Sequence, residues 1–160
     1  MAYTLILFIT RNPTLTSDEF RDHYEYTHIP LCRSLIGAAW PTTFRRRYLA
    51  RIHRAGFGGP ANPDHPLLTL RGDLLHEDYD CIAELSFASE PHFQLFYRSI
   101  YAKENAAVLA KDEERFLEPG KTRAVVVGET MTEEHGRLSH EIGRIPKITS
   151  PASPASSGGS

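Results

Sequence analysis

Cysteine is scarce in this chain: two residues, Cys32 and Cys81, among 160. Two cysteines cannot build a disulfide framework, and such sparing use points to a reducing compartment. No apolar run approaches the ~20 residues that a membrane span needs. The opening, Met-Ala-Tyr-Thr-Leu-Ile-Leu-Phe-Ile-Thr, has no basic stretch and meets Arg11 too early for a secretory signal. A surplus of one charge is missing as well. Lysine and arginine total 18, aspartate and glutamate 20, for a net charge of −2. That balance argues against nucleic acid, anionic membrane or polyphosphate as a partner. Several chemistries lack their marks too. His23 and His28 are five apart rather than four, and no CxxC or HxxxH exists, so no metal site is expected. Gly56-x-Gly58-Gly59 leads into Pro-Ala-Asn-Pro instead of a helix and fails as a nucleotide fingerprint. No Gly-x-Ser-x-Gly elbow occurs. The expectation is a cytoplasmic chain that uses no cofactor and takes a small-molecule substrate.

What is present reads as one domain with a tail, since 41% hydrophobic content supports a core at this length. Tyr3 to Thr10 is a strand, apolar on both faces, so it should be covered on both sides. Thr16 and Glu19 have capping-box spacing. The helix they open carries Phe20, Tyr24 and His28 towards Leu35, with Gly37 as its C-cap. Pro30 inside this pattern predicts a kink or break just after His28. Thr42 to His53 reads as a second strand, with Phe44, Arg46, Tyr48 and Ile52 on one face. Arg45, Arg47 and Arg51 share the other with Leu49. Residues 54–78 hold Gly56, Gly58, Gly59, Pro60, Pro63 and Pro66 and read as a long loop.

Tyr79 to Phe87 is a third strand. Cys81, Ala83, Leu85 and Phe87 lie on one face, and Asp80, Ile82, Glu84 and Ser86 on the other. Helical patterns run from Glu90 to Tyr101 and from Lys103 to Leu117, and Thr122 to Thr130 is the fourth strand. Residues 131–160 are mostly polar, end in a Ser/Pro/Ala/Gly run, and are expected to be a disordered tail to a domain of residues 1–130. The succession predicts an α+β, ferredoxin-like β-α-β-β-α-β domain with an antiparallel sheet and two helices on one face. Strands apolar on both faces need a second cover. The simplest is another copy of the chain, so a homodimer is expected.

Several spaced residues resemble the opening signature of EthD-domain proteins: Arg11-Asn12-Pro13, Thr16-x-x-Glu19-Phe20, His23-Tyr24 and His28-x-Pro30-Leu31. Weaker likenesses follow at Tyr79-Asp80, Glu84-Leu85-x-Phe87 and Asp112-Glu113-x-x-Phe116. The resemblance spans about residues 3–130. It implies the dimeric α+β barrel, two ferredoxin-like sheets packed back to back. For activity it implies a stand-alone member of fungal secondary metabolism. The reaction would be lyase-type (decarboxylation, cyclisation or dehydration) on a polyketide-like aromatic or β-keto intermediate. The alternatives are a non-catalytic binding dimer, a cofactor-free oxygenase or a haem-binding member of the fold.

His28 is the first catalytic candidate, because an imidazole exchanges protons near neutral pH. The alternative is a buried histidine that only packs. Tyr24 and Tyr48 are candidate donors to an enolate oxygen, or else core. Asp80 and Glu84 are candidates to orient His28 or act as a base, or else to pair with Arg45, Arg47 or Arg51. Phe20, Leu31, Arg45 and Phe93 are candidate substrate contacts. Arg45 would grip a carboxylate, the alternative being salt bridges at a dimer edge. Cys32 reads as an inert buried thiol. The long loop at 54–78 is expected to close over the pocket.

Overall fold

The computed structural model describes residues 1–52, 66–72 and 79–143. Four strands make one antiparallel sheet: β1 (Tyr3–Ile9), β2 (Thr43–Tyr48), β3 (Cys81–Phe87) and β4 (Arg123–Val126), ordered β2-β3-β1-β4. With helices in the β1–β2 and β3–β4 connections, this is the expected ferredoxin-like arrangement. Register carries the alternation across the sheet. Leu5 faces Leu85, Leu7 faces Ala83, Phe44 faces Leu85 and Tyr48 faces Cys81. These positions join the core under the helices. The in-between set, Thr4, Ile6, Phe8, Ile82, Glu84 and Ser86, lies on the opposite face and is half-buried within one chain.

The first helical stretch begins as the capping box foretells. Thr16 accepts from the Glu19 amide at 3.1 Å, and Glu19 accepts from the Thr16 amide at 2.8 Å. Such a cap is worth about 1 kcal/mol. Helix α1 is Ser17–His23, and α2 is Ile29–Ile36, ending at Gly37 with φ +60°. The break expected after His28 does not occur. Residues Tyr24–His28 form a π-turn, in which the Ile29 amide donates to Tyr24 five residues back, and Ile29 keeps helical dihedrals. Pro30 sits in the first turn of α2. A proline clashes with the carbonyl four residues behind it, and a wider turn at that place relieves the clash without stopping the helix.

Ser89 caps α3 (Glu90–Tyr101), which is followed by α4 (Lys103–Phe116). The most deeply buried large side chains are Phe20, Phe87, Phe116 and Cys81. Residues 131–142, expected to open a disordered tail, are instead folded. After β4 the chain forms a separate hairpin of β5 (Glu129–Glu134) and β6 (Arg137–Ile142). Its two-residue turn places His135 at φ 51° and Gly136 at φ 76°, the double positive φ that twists a tight hairpin correctly. Residues 144–160 lie outside the described residues. So does most of the expected 54–78 loop and its proposed role as a lid. Its described part, 66–72, runs beside the end of the second strand, where the Leu68 amide donates to Ala50 at 2.8 Å. No helix among the described residues is long and apolar enough to cross a membrane.

Candidate functional site

The π-turn gathers the polar side chains of the helix layer. His28 is 7% exposed, and Phe116 and Tyr24 flank its ring at centroid distances of 4.7 and 5.9 Å. Its Nδ1 lies 2.8 Å from Asp112 Oδ2 on α4, and its Nε2 lies 3.3 Å from Cys32 Sγ one turn on. A carboxylate only accepts, so the neutral ring carries its proton on Nδ1 and donates it to Asp112. Nε2 is left as the basic nitrogen. Burial pushes the His28 pKa below the ordinary 6.5, and Asp112 offsets part of that shift. The imidazole is therefore neutral at neutral pH. The Cys32 thiol is pushed up to about 12 by burial, then by Glu113 and Asp112, so it stays S–H and donates to Nε2. Cys32 itself is half-buried.

Tyr24 is 5% exposed, and its hydroxyl has no hydrogen-bond partner among the described residues. Burial holds this phenol well above its usual pKa, which keeps it a donor.

Beside these groups, Glu25 of the π-turn accepts from Arg46 Nε at 2.8 Å and Nη2 at 2.6 Å, and from the Tyr48 hydroxyl at 2.6 Å. The Arg46 hydrogen bond holds Glu25 below the usual carboxylate range. Burial, then the bond to Glu25, pushes the Tyr48 phenol up. Tyr48, Phe20, Arg51 and Asp80 line a cleft of about 160 Å³ at the end of β2. A cavity of this order holds a single aromatic ring. His28 does not line it.

The structure thus brings His28, Tyr24, Tyr48 and Phe20 together between helices and sheet. It corrects the carboxylates. Asp80 does not orient His28: it accepts from the Arg11 amide at 2.8 Å, from Arg11 Nε at 3.2 Å and from Arg51 Nη2 at 2.6 Å. Glu84 cannot orient it either, since strand alternation puts it on the far face of the sheet, opposite Arg45 and Ile6. Arg45 is exposed on that same face, so the arginine beside the helices is Arg46. Phe93 of α3 stacks on Tyr3 at a centroid distance of 4.4 Å, whereas the rings against His28 are Tyr24 and Phe116. Leu31 is half-buried on α2.

The carboxylate at His28 is Asp112, which was not among the residues expected to orient it, although its place on α4 carries a signal. Leu109, Asp112 and Phe116 form one stripe at i, i+3, i+7, and all three are buried. An acid in an apolar stripe calls for a cationic or donor partner. Glu25 had no comparable signal, because the π-turn sets which face it takes. For haem, the fit is poor: both His28 nitrogens are engaged, and the ring is packed between aromatic side chains. Among the described residues no three histidine, cysteine or acidic side chains are placed to hold a metal ion.

A family model described as the EthD domain matches residues 12–120. Among solved structures, an ethyl tert-butyl ether d (ethd) family protein from Bacillus halodurans c-125 is 18% identical, covering 79% of this chain and 97% of that one at TM-score 0.45. An ethd-like protein from Ralstonia eutropha jmp134 is 11% identical over 79% and 87%, at TM-score 0.44. A dimeric ferredoxin-like protein of unknown function from Thermobifida fusca yx is 16% identical over 79% and 90%, at TM-score 0.43. No curated protein matches the sequence.

Proposed function

The chain belongs to the EthD domain family, and from that premise we propose that it is a cofactor-independent lyase-type enzyme of secondary metabolism. Its substrate class is a polyketide-like aromatic or β-keto compound, and the reaction is decarboxylation, cyclisation or dehydration. One observation carries this reading. A neutral imidazole, set by Asp112 with Nε2 as its basic nitrogen, stands beside a phenol whose hydroxyl is unspent. Such substrates already hold the electron sink in their carbonyls, so the protein needs only orientation, a proton carrier and a placed donor. His28 Nε2 takes the proton or returns it once the Cys32 thiol turns aside. The Tyr24 hydroxyl donates to the developing enolate oxygen. Arg46, Glu25 and Tyr48 fix the sheet side of the site.

The test is turnover of aryl β-keto acids such as benzoylacetate, followed as product and carbon dioxide. His28→Gln is expected to lose about a hundredfold or more, and Tyr24→Phe about tenfold. Full turnover by folded His28→Gln overturns the assignment. A second reading, a non-catalytic binding protein for a hydrophobic metabolite, draws support from the close aromatic packing of His28. Binding of the same acids without turnover by the wild type favours it.

We also infer a homodimer closed sheet to sheet. Ile6, Phe8 and Ile82 stay half-buried, and Val125 is exposed, on a sheet face that no helix among the described residues covers. A reducing cytoplasmic setting suits the two free thiols.

A further inference from the structure

Two histidines meet on one carboxylate. His23 Nε2 lies 3.0 Å from Asp112 Oδ1, and His28 Nδ1 lies 2.8 Å from Oδ2. Phe116 lies against both rings, at centroid distances of 4.8 and 4.7 Å. Their surroundings differ in water. The side chain of His23 is 20% exposed and that of His28 is 9% exposed. An added proton turns one ring into an imidazolium, which Asp112 compensates. A second proton would leave an uncompensated positive charge at a buried site, opposed by desolvation and by repulsion between like charges. The first charge costs less on the better-solvated ring.

We propose that His23 governs His28 through the carboxylate they share: a charge on His23 claims Asp112 and so keeps His28 neutral and basic. His23 acts as a positioning residue. It touches Asp112, not the reacting atoms, and it fixes the carboxylate that orients His28. This rests on the proton-carrying role given to His28 above and adds the group that governs it. The titratable groups facing the pair are Tyr24 from the π-turn, Cys32 from α2, and Asp112 and Glu113 from α4. Tyr24 and Cys32 stay protonated throughout the range in which histidine titrates, so they do not contribute charge.

The test is a pH titration of the full chain by nitrogen-15 NMR of labelled histidines, for the wild type and His23→Gln. Glutamine keeps an N–H donor for Asp112 but takes no charge. In the wild type the His28 midpoint is expected below the ordinary 6.5. In His23→Gln that midpoint is expected about one pH unit higher. An unchanged His28 midpoint in the folded variant overturns the proposal. Should that variant not fold, His23→Asn, read the same way, decides. No turnover alongside a raised midpoint in the variant sinks the catalytic reading and leaves the coupling. Turnover that needs His28 alongside an unchanged midpoint does the reverse.

Discussion

Asp80 is a buried carboxylate spent on two guanidinium groups, Arg11 and Arg51. Replacing it with Asn removes the charge both were placed to meet. Breaking a buried ion pair from one side costs about 3 kcal/mol, which lowers the melting temperature by roughly 10 °C in a chain of this size. Thermal denaturation checks this. An unchanged melting point would mean the pair is not structural. His28 gives a second prediction. Burial lowers its folded pKa below the 6.5 of the unfolded chain, so between those values the unfolded state binds more protons. Stability is therefore full above pH 6.5 and declines as pH falls below it. The urea midpoint should drop from pH 7.5 to 5.5, and His28→Gln should flatten part of that drop. At this scale the placing of the His28 imidazole beside both tyrosines was legible, because helical spacing puts Tyr24 and His28 on one side of the helix and strand alternation sets Tyr48 with Phe44. The orienting carboxylate was not. Asp80 and Glu84 attract notice as strand acids, whereas Asp112 is revealed only once α4 is known to face the π-turn.

Among the elements, the capping box at Thr16 and Glu19 and the four sheet strands followed from local pattern. The π-turn did not. Proline marks a disturbance, but whether the helix stops or widens depends on what packs against it, here Phe116 and Asp112 of α4. The β5–β6 hairpin escaped for another reason. All of its residues are exposed, so no buried alternation announces it, and its turn is His-Gly rather than the usual Asn-Gly or Asp-Gly. Gly136→Ala forces a Cβ into a positive-φ position with no steric neighbour, so the cost of about 1 kcal/mol is purely conformational. Amide exchange over residues 130–141 should speed up while the melting temperature of the main sheet stays the same. Equal destabilisation of both would show that the hairpin and the sheet fold as one unit.

For the whole molecule, the described residues leave one face of the sheet without a covering layer. Ile82 sits in that face between Phe8 and Arg47. Ile82→Arg places a third cation beside Arg45 and Arg47 and should halve the mass seen by light scattering, with the far-ultraviolet spectrum retained. A wild type already at monomer mass would refute the sheet-to-sheet dimer.

The pH–rate profile of benzoylacetate decarboxylation, recorded for wild type and for His28→Gln, tests the proposed role of the imidazole most directly. The wild-type profile should fall on the acid side below pH 6.5, as Nε2 of His28 becomes protonated, and the residual activity of the variant should lack that fall. The same acid limb in both proteins, at comparable rates, would contradict it.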